Sequence, residues 1–479
     1  MPLLDLRISE ADWRRVRRAL DGSFRSEHHD ERGILALLGK NNSTQSPSFT
    51  IAEVLSPEPG DVRPTAGGLT FDSRYLRRAH LRMRERGLAG ICTFHTHPLS
   101  DDTVMFSRTV DDFEDPQLIA NLIDIEPKTQ LVSVVLGRRS QSGRVWSSPS
   151  NVEPLSRLLI VGEMIQMLRL DGSPPPPPPP VEAIFDRAKA ITPAGALKAL
   201  SEMIIAVVGV SGIGSLICEL LVRAGSRHLL LIDHDVVELT NLNRMLYARI
   251  SDIGTAKVQV LGRGVSEAGF ELALELVPGT VLDRTVAARL RDADLILGCV
   301  DKDWPRDLLA DFAFRYLIPY IDLGSEIGSD TKGSTIVSLD ARVSYISPGR
   351  PCHRCTGVVT ARRLRFESLT KAERAREVRL GYSDDLLLSQ PAVMDLNMRS
   401  ASLGALVLRH LLQPFLQMPL PVMLLENIVT YSMRAIRTPR NERSDCPVCR
   451  TNRYFGFADC APPLGHDAAL LARIMGTEP

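Results

Sequence analysis

The clearest rhythm along the chain lies between residues 204 and 244. An uninterrupted apolar, β-branched run, Ile204 to Val208, enters a turn that carries Gly209, Gly212 and Gly214. Apolar positions then recur at Leu216, Ile217, Leu220, Leu221 and Ala224, the spacing of one helical face. A second apolar run, Leu229 to Ile232, closes on Asp233. Strand, glycine turn, helix, strand and acid make a nucleotide-binding βαβ unit. The glycines let the backbone approach a phosphate, the helix N-terminus offers N–H donors, and Asp233 can take ribose hydroxyls.

The same patterning continues on either side. Ala293 to Val300 is an apolar run ending in Asp301, as a parallel strand ends at the carboxyl edge of a sheet. A helix over 306–316 and a short strand over 320–324 follow, and Asp303 reads as a surface residue. Nearer the N-terminus, Gly33 to Gly39 is apolar, and an apolar strand runs into Thr93-Phe-His-Thr-His-Pro98. His95 and His97 alternate at the strand end, so both imidazoles face one side, a geometry suited to a metal ion. A carboxylate follows at Asp111 or Asp112, at the head of the next element. Two histidines, an acid and a water make a four-coordinate site with one open position. His28 and His29 have no such company and read as loop residues. Residues 155–170 show helical apolar spacing and are expected to close a first domain as a helix. Seven consecutive prolines, Pro174 to Pro180, follow. In polyproline II at about 3.1 Å per residue they form a stiff spacer of about 22 Å.

Length and composition narrow the reading. The 479 residues are enough for two or three domains with cores of their own. Lys and Arg total 57, as do Asp and Glu, so net charge argues for neither a nucleic-acid nor a membrane partner. The N-terminal stretch carries acids and no long apolar core, so no signal peptide is expected, and no apolar run reaches membrane-spanning length. Eight cysteines that include two CxxC pairs suggest reduced thiols and a metal in a soluble cytoplasmic protein. Cys352, Cys355, Cys446 and Cys449 have the spacing of two knuckles of a tetrahedral four-cysteine zinc site, with His353 surplus. Cys92, Cys218 and Cys299 read as packing. Cys460 lies in a loop-like context outside the knuckles and is a candidate transfer thiol.

Gly209-Val-Ser-Gly-Ile-Gly-Ser215 followed by Ile232-Asp-His-Asp-Val-Val-Glu-Leu-Thr-Asn-Leu-Asn-Arg244 resembles the ThiF/MoeB/E1 superfamily, and the resemblance runs from about Phe185 to about Arg450. It implies ATP- and Mg²⁺-dependent adenylation of the C-terminal carboxylate of a ubiquitin-like protein. A carboxylate attacking an α-phosphate meets strong negative repulsion, so cations must gather around the triphosphate. Arg244 and Lys257 fall where the family places its ATP-binding cations, and Asp301 where it places the magnesium ligand. Asn241 is expected to order the loop or contact ATP. Ser211 replaces a usual glycine and can add a hydroxyl donor. Arg187, after Phe185, resembles an arginine that acts in trans across a homodimer. The knuckles match the structural zinc of this family. Residues 356–445 contain no cysteine, although much of the family carries its thioester cysteine there; the helix-prone Thr370 to Leu380 reads as a solvated helix on a lid.

His95-Thr-His97-Pro98 with a later Ser and Asp resembles the JAMM (JAB1/MPN) isopeptidase motif. That resemblance implies a catalytic zinc held by His95, His97 and Asp111, with Asp112 the alternative third ligand. Glu31 would be the general base on water, and Ser107 would hold the carbonyl oxygen. The segment from His97 to Ser107 is longer than is usual in that family, and Ser107 to Asp111 has one extra residue.

The expected fold is α/β: a JAMM-type domain over 1–155, a helix and polyproline linker over 156–184, and a Rossmann-like ThiF/E1 adenylation domain with a four-cysteine zinc site over 185–479. The expected function is bifunctional, adenylating the tail of a ubiquitin-like protein and processing or deconjugating it through zinc. Two alternatives are sulfur-carrier activation for cofactor or amino-acid biosynthesis, and an adenylation enzyme whose JAMM half is an inactive docking module. The implied partners are a ubiquitin-like or sulfur-carrier protein with a small C-terminal tail, an E2-like protein, and a second copy of the chain.

Overall fold

The computed structural model describes residues 4–25, 30–43, 45, 47–65, 68–100, 102–177, 180–329, 335–380, 392–439, 442–466 and 471–472. His28, His29 and part of the proline run lie outside the described residues. The chain divides into two compact units, one of Met1–Pro178 with Phe314–Leu317 and Arg453–Pro462, the other of Pro179–Ala313, Ile318–Asn452 and Pro463–Pro479.

The first unit is built on β1 (Asp5–Ser9), β2 (Gly33–Asn41), β3 (Ser48–Leu55), β4 (Val62–Thr65), β5 (Gly68–Phe71), β6 (Gly90–Thr96), β7 (Gln130–Leu136), β8 (Gln141–Ser148), β9 (Asn151–Pro154), β10 (Arg157–Val161) and β11 (Ile165–Arg169). Nine of these form a mixed sheet in the order β11-β10-β1-β3-β2-β6-β7-β8-β9, and β4 and β5 pair separately. Among the described residues, three α-helices accompany it, α1 (Glu10–Leu20), α2 (Ser73–Arg86) and α3 (Asp111–Ile125). Ser9 caps α1 by accepting from the Asp12 N–H, and Asp72 caps α2 by accepting from Arg74 N–H. Successive residues of β2 point to opposite faces. Ile34, Ala36 and Leu38 join a core with Val16 and Leu20 of α1, and Leu35 and Leu37 join one with Tyr75, Met83, Ile119 and Leu122 of α2 and α3. Burial on both faces is why β2 reads as a continuous apolar run over 33–39.

The helix expected over 155–170 is instead a β-hairpin. β10 pairs antiparallel with β11 and parallel with β1, where Leu158 faces Leu6 and Ile160 faces Ile8. The contiguous Leu158–Val161 run fits helix and strand spacing alike, and pairing with β1 decides for the strand. The first unit therefore continues to Pro178 and does not end at residue 155.

It also takes in a segment from the far end of the chain. Phe457 and Ala461 are buried in the α2/α3 core, with Tyr454 and Cys460 packed against it. The Thr50 hydroxyl donates to the Gly456 carbonyl at 2.6 Å, and the Asp459 N–H donates to the Lys40 carbonyl at 3.0 Å. Gly456 has φ +65°, and a Cβ there would stand 2.7 Å from the Ile51 carbonyl oxygen, so the approach requires glycine. The expected single domain over 185–479 is thus interrupted.

The second unit contains α4 (Ala194–Glu202), β12 (Ile204–Val208), α5 (Gly212–Ala224), β13 (His228–Ile232), α6 (Lys257–Ser266), β14 (Ala273–Val277), α7 (Arg284–Ala287), β15 (Leu295–Gly298), α8 (Asp303–Arg315), β16 (Tyr320–Ser329), β17 (Ile336–Ile346), α9 (His353–Thr356), α10 (Ala361–Glu367), α11 (Lys371–Arg379), α12 (Met394–Leu412), β18 (Met423–Asn427) and β19 (Ser432–Ile436). Its sheet runs β14-β13-β12-β15-β16-β17-β18-β19. Pairing is parallel from β14 to β16 and antiparallel from β16 to β19. From β12 the chain winds outward through β13 and β14, then returns to the other side of β12 as β15. The strand order reverses there, and open α/β sheets bind ligands at the carboxyl ends of the strands flanking such a reversal. Among the described residues no helix is long and apolar enough to cross a membrane.

Candidate functional site

The glycine turn sits at that reversal point. Gly209 has φ +85°, and a Cβ on it would stand 2.7 Å from the Cys299 carbonyl oxygen, so the turn lies against the end of β15. Ser211 precedes α5 and its hydroxyl makes no capping bond; its carbonyl accepts from Ser215 N–H at 2.9 Å. A Cβ on Gly212 would meet Asn397 Nδ2 at 2.4 Å and Arg244 Cδ at 3.7 Å, so Asn397 of α12 and Arg244 flank the turn. Gly214 is buried in the first turn of α5.

Asp233, at the end of β13, holds this turn. Its Oδ2 accepts from Val210 N–H at 2.8 Å and its Oδ1 from Asp235 N–H at 2.9 Å. Burial raises its carboxyl above the ordinary value, against these bonds and the nearby Lys257. Each oxygen keeps further lone pairs for hydroxyl donors. Asn241 orders the loop, its Oδ1 accepting from Glu238 N–H at 3.0 Å. Arg244 donates to the Thr240 carbonyl. Lys257, buried at the start of α6, donates to Asp235 Oδ2 at 2.8 Å. Asp301 is exposed just beyond β15, and Arg187 is exposed in the turn after the buried Phe185. An exposed carboxylate at the reversal point, beside a turn of backbone N–H groups, fits a hard cation such as Mg²⁺, which takes one or two carboxylates and keeps phosphate and water for the rest.

Asp303 corrects the sequence expectation of a surface residue: it is fully buried. Glu367 accepts from the N–H groups of Asp303 and Trp304, which leaves the Asp303 carboxylate to accept from Thr360 N–H at 3.0 Å and to face Arg363 at 3.4 Å. It joins α8 to the stretch before α10. Sequence reasoning also missed Asp235, Asn397 and Ser325. The Ser325 hydroxyl donates to Asn397 Oδ1 at 2.7 Å across a 72-residue separation, and no local motif signals such a pair.

The four knuckle cysteines converge. Cys352 and Cys446 stand 3.7 Å apart at sulfur, Cys355 and Cys449 3.6 Å, and all four sulfurs lie within 4.8 Å of one another. A tetrahedron with Zn–S bonds of about 2.3 Å needs sulfurs about 3.8 Å apart, so the set fits zinc. The hydrogen bond from Cys352 draws the Cys449 thiol below its ordinary value and raises that of Cys352. His353 is not a fifth ligand. It is buried beside Asp322, its Nε2 3.9 Å from Oδ1, and burial pulls its imidazole down to about 3.

In the first unit, His95 is the penultimate residue of β6, His97 follows the strand, and Asp111 opens α3. His95 Nε2 is 3.3 Å from Asp111 Oδ1, and His97 Nε2 is 3.4 Å from Asp111 Oδ2 and 3.8 Å from Glu31 Oε1. The ligand atoms of His95, His97 and Asp111 lie within 4.8 Å of one another. His95 Nε2 is buried without a well-aligned hydrogen-bond partner, as suits a nitrogen facing an ion. Asp112 points elsewhere, to Arg144 Nη1 at 2.6 Å, so Asp111 is the carboxylate at the histidines. Burial pushes Asp111 up, but the two imidazoles and the Ser107 N–H hold it far below the usual carboxylate range. Glu31 is raised, chiefly by burial, against the pull of His97 and His95.

Ser107 closes the turn that absorbs the extra residue. Its hydroxyl oxygen accepts from Val110 N–H at 3.2 Å and Asp111 N–H at 3.0 Å, and its own N–H donates to Asp111 Oδ2 at 2.6 Å. Arg144, which the sequence did not single out, braces the N-terminal part of α3 through Asp112 and through Asp115 at 2.9 Å.

Of the remaining thiols, Cys92 and Cys218 are buried and Cys299 and Cys460 are half-buried. Burial raises Cys92, Cys218 and Cys299, and it raises Cys460, which packs within the first unit.

Residues 185–448 match the ThiF family, and the chain belongs to that family. The molybdopterin-synthase adenylyltransferase of Escherichia coli K12 is 27% identical over 158 residues, 33% of this chain and 60% of that protein. A tRNA threonylcarbamoyladenosine dehydratase of the same organism is 30% identical over 134 residues, 28% of this chain and 50% of that protein. Ubiquitin-like modifier-activating enzyme 5 of Oryza sativa subsp. japonica is 34% identical over 110 residues, 20% of this chain and 26% of that protein. The chain thus spans 60% or less of the length of each of these relatives.

Proposed function

We propose that the second unit adenylates the C-terminal carboxylate of a ubiquitin-like or sulfur-carrier protein, and that the first unit is a JAMM-type metallopeptidase acting on the same kind of tail. The observation that carries the first half is the grouping of Arg244, Lys257 and Asp301 with the Gly209–Gly214 turn and Asp233. In this reading the turn and the α5 N-terminus receive the nucleotide phosphates and Asp233 takes a ribose hydroxyl. Arg244 and Lys257 lower the negative charge that the incoming carboxylate meets. Asp301 would hold Mg²⁺, which when bound neutralises charge on the leaving pyrophosphate. The carboxylate oxygen bonds to the α-phosphorus as the bond to pyrophosphate breaks.

In the first unit, His95, His97 and Asp111 would hold a zinc ion, which when bound supplies Lewis acidity. Glu31, beside His97 and made more basic by burial, takes the proton of the attacking water. Both N–H bonds at Ser107 end on the hydroxyl oxygen, so its own proton remains free for the substrate carbonyl oxygen as negative charge develops. A peptidase for tails favours a protein substrate over the tRNA modification named for one relative. Arg187 acting across a homodimer, and an E2-like acceptor, remain parts of the proposal to be tested separately.

The test is ATP–pyrophosphate exchange that depends on a small β-grasp protein ending in a free tail. Exchange should fall by about 100-fold or more in Asp301→Ala; undiminished exchange in that variant would overturn the site. A second reading, sulfur-carrier activation, is favoured because no free cysteine among the described residues is fully exposed, and an enzyme that offers no thiol stops at the acyl-adenylate. Mass spectrometry separates the readings: a thiocarboxylate on the carrier supports sulfur delivery, and an isopeptide-linked product supports conjugation.

A further inference from the structure

Behind the Asp301 loop lies a buried polar cluster that no motif announces. Asp322, on β16, is completely buried. Its Oδ1 accepts from the Tyr320 hydroxyl at 2.8 Å and from Arg306 Nε at 3.3 Å, and its Oδ2 accepts from Arg342 Nη1 at 2.6 Å. Burial pushes the carboxyl up, but Arg342 and Arg306 hold it ionised, well below the usual carboxylate range. Arg306, from the first turn of α8 and itself buried, turns its other two nitrogens to the main chain. Nη1 donates to the Asp301 carbonyl at 3.3 Å and Nη2 to the Val300 carbonyl at 2.5 Å.

The ladder around β15 explains why that matters. Gly298 is the last residue of β15 paired on both sides, with Val208 and with Asp322. One more bond, from Cys299 N–H to the Val208 carbonyl at 2.8 Å, follows it. The Val300 and Asp301 carbonyls lie past the end of the sheet, and a single guanidinium holds both. Arginine can do this because its planar fork presents several donors in fixed directions, and a buried carboxylate on the neighbouring strand keeps that fork oriented.

We propose that Asp322 is a positioning residue for the nucleotide site: through Arg306 it fixes the Val300–Asp301 main chain and so sets where the Asp301 carboxylate stands towards magnesium–nucleotide. This rests on the adenylation reading, and the experiment separates the two. ATP binding to the full-length, zinc-loaded chain is measured by calorimetry across a series of Mg²⁺ concentrations, for wild type, Asp301→Ala, Asp322→Asn and Arg306→Lys. Wild type should bind ATP more tightly as Mg²⁺ rises, and Asp301→Ala should lose that dependence. Asp322→Asn and Arg306→Lys should need roughly 10-fold more Mg²⁺ or beyond for the same gain, the usual range for losing an outer-shell partner of a metal ligand. Their Mg²⁺-free ATP affinity and zinc content should stay at the wild-type value, which a general loss of structure would not allow. A wild-type Mg²⁺ response in either folded variant overturns the proposal; if Asp322→Asn does not fold, Arg306→Lys alone decides. A wild type whose ATP binding ignores Mg²⁺ overturns the adenylation reading itself.

Discussion

The two candidate sites arrange charge in opposite ways. In the second unit three ionic groups near the glycine turn already have fixed partners: Lys257 rests on Asp235, Arg244 on the Thr240 carbonyl, and Asp233 on two backbone N–H groups. The Asp301 carboxylate, by contrast, stands out into solvent. In the first unit His95, His97, Asp111 and Glu31 face one another side chain to side chain, at separations of 3.3 to 3.8 Å. A spread of braced cations with one solvent-facing carboxylate suits a large polyanion that brings its own metal. A tight, inward-facing knot of donors suits a single resident ion. The two sites should therefore respond differently to the loss of one residue.

The largest effect is expected outside both. Cys446→Ser should release the knuckle zinc, and with it much of the roughly 10 kcal/mol that such sites contribute to folding. Metal analysis and a thermal melt would show one zinc fewer and early unfolding of the second unit. Asp301→Ala should lower pyrophosphate exchange by about 100-fold or more while leaving zinc content and the melt unchanged. Glu31→Gln should reduce tail cleavage by about 100-fold with the metal retained, because the variant removes the proton acceptor and keeps the three ligands; loss of metal in this variant would make Glu31 a ligand and dissolve the contrast drawn above. Gly456→Ala should destabilise the first unit by about 1–3 kcal/mol, since a side chain there is forced into the left-handed region against the Ile51 carbonyl. Cys460→Ser should leave exchange unaltered and shift stability by only about 1 kcal/mol, whereas abolished exchange would reinstate it as a transfer thiol.

How far the residues announced this structure depends on how local each feature is. The βαβ unit around Gly209, the acid after β15 and the paired knuckles are legible because each is a short stretch whose spacing already has a physical meaning. His95 and His97 were legible for the same reason, while Asp111 against Asp112 needed the position of Arg144. The β10–β11 hairpin read as a helix because a four-residue apolar run satisfies both periods, and its partner β1 lies at the other end of the first unit's sequence. The return of Arg453–Pro462 to the first unit left no local trace: it depends on a left-handed glycine and on bonds from Thr50 and to Lys40. Asp303 and Asp322 are acids that composition assigns to the surface, and only distant partners, Thr360 and Arg363 for one and two arginines for the other, let them be buried.

The central claim is that one chain carries two separate metal-dependent chemistries, and it meets its most direct test in the zinc content of purified full-length protein, wild type against His97→Ala. Wild type should hold two zinc ions per chain and the variant one, the knuckle zinc remaining. One zinc ion in both would contradict it, leaving Cys352, Cys355, Cys446 and Cys449 as the sole zinc site and the first unit as a docking module beside an adenylation enzyme.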